Sequence, residues 1–131
     1  MNFKLALAAL NVALAPPAHA CSGAVFFDAI LPTIPQHIPD GASIYEVTPG
    51  EVEEGRVWSV NIVRIIRGYA PQNTIKLPLY GGGDCRTAHF PKTGKSYVVA
   101  YPSYVDQKSF NVIFFNLNTF EIWSHSLFHD R

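Results

Sequence analysis

Arg56-Val57-Trp58-Ser59-Val60-Asn61-Ile62-Val63-Arg64-Ile65-Ile66-Arg67 is the stretch that decides the fold. It is dense in β-branched and aromatic residues, which pack well on a pleated surface and lose rotamer freedom in a helix. Its residues fall into two alternating sets. Val57, Ser59, Asn61, Val63 and Ile65 form one, and Trp58, Val60, Ile62, Arg64 and Ile66 the other. Both sets are partly apolar, so the long strand they predict suits a strongly curved sheet or barrel.

Strand and turn signals continue in both directions. Gly68–Asn73 reads as a turn and Thr74–Tyr80 as a returning strand, which Pro78 places on an edge or at a bulge because proline donates no ladder hydrogen bond. Upstream, Ala42–Val47 reads as a strand ended by Pro49-Gly50 and an acidic loop carrying Glu51, Glu53 and Glu54. Downstream, Gly81–Cys85 is a compliant loop and Pro91–Lys95 a turn before a strand over Ser96–Tyr101. A turn at Asp106–Lys108 then leads into a strand over Phe110–Leu117. Residues 22–41 form an irregular lead-in, where Pro32, Pro35 and Pro39 forbid a helix. The tail from Phe120 to His129 carries Phe120, Trp123, Leu127 and Phe128 at a spacing compatible with a short terminal helix. Some five strands with turn residues between them indicate a small all-β barrel or sandwich.

The N-terminus reads differently from the rest. Lys4 precedes an apolar run from Leu5 to Leu14 that is too short to cross a bilayer as a helix, and Pro16-Pro17 end it. Ala18-His19-Ala20 is an A-x-A cleavage site. Residues 1–20 are therefore expected to be a signal peptide, cleaved near Ala20/Cys21, and residues 21–131 a single secreted or periplasmic domain. Basic and acidic residues are equal in number over the whole chain, and loss of Lys4 leaves one acidic residue in excess. This is no electrostatic footprint for nucleic acid, and none is expected as a partner.

After cleavage the chain keeps two cysteines, Cys21 and Cys85. In an exported protein they read as one disulfide, worth up to ~4 kcal/mol in the chain-entropy model. A lipidated Cys21 or a free thiol are the competing uses. Lipidation would make the chain a lipoprotein anchored through Cys21 and is the one expectation that brings a membrane into play, but Ala18 and His19 fit a lipoprotein signal poorly.

An N-terminal Cys exposed by cleavage, a strand ending Val63-Arg64-Ile65-Ile66-Arg67-Gly68, a short return strand, a loop Cys at 85 and Gly94-Lys95-Ser96-Tyr97-Val98-Val99-Ala100 follow one another in order. This order resembles the netrin-like module of tissue inhibitors of metalloproteinases, including its short bacterial relatives, over roughly residues 21–117. The resemblance implies an OB-like five-stranded barrel whose first Cys, Cys21, bridges to Cys85. It also implies a metalloprotease inhibitor, in which the amine and carbonyl of Cys21, with Ser22 beside it, form a wedge that chelates the zinc of a secreted protease. Gly23 stands where those inhibitors carry a second Cys, and the wedge is correspondingly less constrained.

Other motifs carry less. Cys85-x3-His89 and His125-x3-His129 have zinc-ligand residue types, but oxidation of Cys85 and the terminal position of the histidines oppose a metal site within the chain. There is no Gly-x-Ser-x-Gly elbow, and Gly81-Gly82-Gly83 lacks the Lys-Ser/Thr that completes a phosphate loop. Trp58, Tyr69, Tyr80, Tyr97, Tyr101, Phe114 and Phe115 are expected in core packing, with Tyr101-Pro102-Ser103-Tyr104 a candidate contact surface. The expectation is a non-catalytic binding or structural module without a cofactor, partnered by a secreted metalloprotease or another extracytoplasmic protein.

Overall fold

The computed structural model describes residues 27–53, 56–77, 86–103 and 106–124, and among them the chain is all-β without a helix. Its strands are β1 (Phe27–Asp28), β2 (Ser43–Pro49), β3 (Val52–Glu53), β4 (Arg56–Val57), β5 (Ser59–Arg67), β6 (Thr74–Lys76), β7 (Arg86–Thr87), β8 (Tyr97–Pro102), β9 (Phe110–Asn116) and β10 (Ile122–Ser124). The main sheet runs β6-β5-β2-β8-β9-β1-β7, with β10 on β9. It curls into a half-barrel and is antiparallel except where β1 meets β7.

The sequence that decides the fold forms two strands rather than one. Trp58 leaves the ladder, its N–H donating to the Glu51 carbonyl at 2.9 Å, and β4 turns away to pair with β3. The acidic segment is thus half of a small hairpin. β5 itself runs beside β2 with two irregularities, where Ile66 and Val63 are the extra residues between Ile44/Tyr45 and between Glu46/Val47. Bulges of this kind bend the longer strand and increase its twist. They supply the curvature that the two-sided apolar pattern predicts.

Alternation along the central strands explains why both sheet faces are apolar. Tyr45 and Val47 of β2, Val98 and Ala100 of β8, and Phe110, Val112 and Phe114 of β9 face one side, where they join Val60, Ile75 and Leu77 in the larger core. Ile44, Val99, Ile113 and Phe115 alternate with them and face the other side. That second face is covered by the lead-in, through Leu31, Ile38 and Ala42. The Pro-rich segment is therefore a lid over half of the core. Its first part wedges between diverging strands: Phe27 and Asp28 pair with Asn116 and Phe115 of β9, and Leu31 exchanges backbone hydrogen bonds of 2.8 and 2.9 Å with Tyr97.

The end of the chain corrects the expectation of a short C-terminal helix over residues 120–124. Ile122, Trp123 and Ser124 pair with Phe115, Phe114 and Ile113 as β10. Period-two packing wins because both faces of the sheet offer burial. Ile122 packs with the second-face core and Trp123 with the first, 5.1 Å from the Phe27 ring centroid. Residues 125–131, with His125 and His129, lie outside the described residues.

Candidate functional site

The β9–β10 connection and the lead-in together form a groove. Asn116 organises the turn. Its Oδ1 accepts from the N–H groups of Asn118 at 3.0 Å and Thr119 at 3.3 Å, and its carbonyl accepts from Phe120 N–H at 2.7 Å. These bonds hold Phe120 in the left-handed region, with φ at 59°. A bulky side chain there is strained by roughly 1–3 kcal/mol, and such strain concentrates at binding and switch segments. Phe120 gains no burial in return, being 86% exposed.

Opposite the turn, Leu31, Pro32 and Pro35 form an apolar wall, with Thr33, Gln36 and His37 at its polar edge. Phe115 and Leu117 complete the groove, whose volume is about 520 Å³. The prolines fix their own φ angles, so this wall enters binding with little backbone freedom left to lose. An apolar groove of this size with a few polar groups at its margin suits one or two apolar side chains or a small amphipathic molecule.

A second feature lies where β1 is wedged in. Burial pushes the Asp28 carboxyl up to about 6, against the stabilising effects of the Ile30 N–H, which it accepts at 3.0 Å, and of nearby His89. The pair is one carboxyl and one exposed imidazole. No group of three or more His, Cys, Asp or Glu side chains is gathered among the described residues.

The residues singled out from sequence are placed unevenly. Cys21, Ser22 and Cys85, and so the expected disulfide and chelating wedge, lie outside the described residues. Tyr101 of the expected contact surface packs against the second-face core, with Pro102 fully buried, so these two residues do not form a free surface. Tyr69 departs from the expected core and is exposed. The groove residues were missed, since prolines in the lead-in signal only irregular chain and Phe120 reads as one apolar position of a helix. The available signal was Asn116-Leu117-Asn118-Thr119, a turn sequence next to an aromatic. No family model, curated protein or solved structure matches the chain.

Proposed function

We propose that this chain is an exported, disulfide-tied OB-like barrel that acts as a non-catalytic binding module, and that the groove between Leu31–His37 and Phe115–Phe120 is its recognition surface. The observation that carries this reading is Phe120, a strained and 86% exposed aromatic held rigidly at the lip of an apolar groove. Folding gains nothing from such a residue, whereas aromatic side chains, phenylalanine among them, are enriched at interface cores. The partner class is an extracytoplasmic protein that inserts apolar side chains into the groove. The reading as a non-catalytic module is supported by a lining that is mostly apolar, with Thr33, Gln36, His37 and Asn116 as its hydrogen-bonding groups.

The test is amide chemical-shift mapping during titration with N-acetyl-tryptophanamide and N-acetyl-leucinamide. Shifts are expected to cluster at residues 31–37 and 115–120, and to vanish in Phe120→Ala while the fold is retained. Shifts scattered over the sheet, or unchanged in that variant, refute the groove as a recognition site.

A further inference from the structure

A different surface, separated from the groove by β2 and β8, carries a second binding inference that does not depend on the first. β6 pairs with β5 only at Ser59, Val60 and Asn61, and one further hydrogen bond joins Ile62 N–H to the Asn73 carbonyl at 2.8 Å. From Val63 to Arg67 the outer edge of β5 has no partner strand among the described residues. This open edge is about 17 Å long at the usual rise of a strand. It is also apolar: Val63 is 55% exposed and Ile65 46%, with Ile66 and Tyr69 exposed beside them. Long apolar edges invite strand pairing, and native proteins usually blunt them with free charges.

Here the charges are engaged but solvent-exposed, the Arg64 side chain at 58%, and they are not balanced. Arg64 reaches back to Glu46 at 2.8 Å, but the same carboxylate also faces Lys95 at 3.7 Å. Arg67 donates to the carbonyl oxygens of Ala42 at 3.0 Å and Pro39 at 2.8 Å, so it is held by neutral acceptors rather than by a carboxylate. The edge therefore presents backbone groups with no strand partner among the described residues, apolar side chains and an excess of positive charge. The two bulges twist it, which opposes indiscriminate stacking while leaving a short frame for one strand. A second copy of the chain is a poor occupant. Antiparallel pairing of two β5 edges would gather four guanidinium groups along one seam, a like-charge arrangement that destabilises cross-strand pairing.

From these features we propose that the β5 edge Val63–Arg67 docks an extended peptide segment of a partner in which apolar and acidic residues alternate, added as one more strand of the sheet. Main-chain hydrogen bonds would supply affinity, and the apolar strip with Arg64 and Arg67 would supply selection.

The probes are a hexapeptide of alternating valine and glutamate, the same peptide with lysine for glutamate, and the glutamate peptide N-methylated at alternate residues. Each is titrated into the full chain by amide chemical-shift mapping. The glutamate peptide is expected to shift residues 63–69, and to bind at least about tenfold tighter than the lysine peptide at low salt. N-methylation should abolish binding, because it removes the donors that a new strand needs. Arg64→Gln should reduce the charge preference severalfold, and Phe120→Ala should leave it intact. Equal binding of the glutamate and lysine peptides, or undiminished binding of the N-methylated one, would overturn the proposal. So would a concentration-dependent dimer formed through β5, or binding of phosphatidylglycerol vesicles by the same residues in preference to the peptide.

Discussion

Replacing Gly68 by alanine tests the turn that ends β5 and the register it sets. Gly68 sits at φ 84°, in the left-handed region, directly against β2. A Cβ there would lie 2.0 Å from Ser43 Oγ and 2.7 Å from Ser43 Cβ, and Ser43 is buried with nowhere to retreat. Three effects combine. The left-handed conformation costs an alanine roughly 1–2 kcal/mol, and forcing an extra carbon into packed structure costs about 1–3 kcal/mol. Displacement of Ser43 also disturbs the bond from Tyr69 N–H to Ser43 Oγ, at 3.3 Å, and the bond from Tyr45 O–H to the Tyr69 carbonyl, at roughly 1 kcal/mol each. With both bonds lost, the expected loss is about 4–7 kcal/mol. Gly94→Ala is the internal control, since Gly94 has φ 88° but no atom within 4 Å of the added Cβ. It should lose only the conformational part, about 1–2 kcal/mol. Urea unfolding of both variants, with unchanged m-values, measures the difference. Equal losses in the two would show that Gly68 does not press on Ser43 and that the β2–β5 junction is wrongly described.

Four further outcomes are expected. Asp28 has a folded-state pKa of about 6 against 3.8 unfolded, so the folded chain holds its proton more tightly; the associated stability is full below pH 3.8 and is lost as pH rises through 6. Asp28→Asn keeps the acceptor for Ile30 N–H and should raise stability at pH 7.5 by at most roughly 3 kcal/mol, with the gain gone at pH 3.5, as read by unfolding across pH. Phe120→Gly relieves a left-handed phenylalanine and should leave stability unchanged or raise it by about 1 kcal/mol in thermal unfolding, while groove binding is lost. Phe114→Ala empties a fully buried site against Trp123 and should cost about 3–5 kcal/mol by urea unfolding, which a loss under 1 kcal/mol would contradict. The proposed export is checked by intact mass of the chain from its host with and without reductant, which should give residues 21–131 with a gain of two hydrogens on reduction; added lipid, or no gain, would exclude a Cys21–Cys85 bridge with a free amine.

By itself the sequence determined the all-β character and most strand positions. β-Branched runs at Ile44–Val47, Val60–Ile66, Tyr97–Ala100 and Val112–Phe115 have a local steric reason to be extended, and the Gly and Pro positions between them have a local reason to turn. It also marked the two-sided apolar pattern of β5 as a sign of curvature, although it did not show that bulges at Val63 and Ile66 produce it. Tertiary structure decided what local preference leaves open. Phe120, Trp123 and Leu127 satisfy a helical spacing, yet Ile122 and Trp123 lie on opposite faces of a sheet because β9 offers burial on both. The lead-in looks like mere irregular chain until Leu31, Ile38 and Ala42 are seen covering the second face of that sheet. The groove exists because this lid stops short of the Asn116–Phe120 turn, and the open β5 edge because β6 is short. Both are relations between segments distant in sequence, fixed by how far each strand extends beyond its neighbour, and no local pattern of residue types encodes such a length.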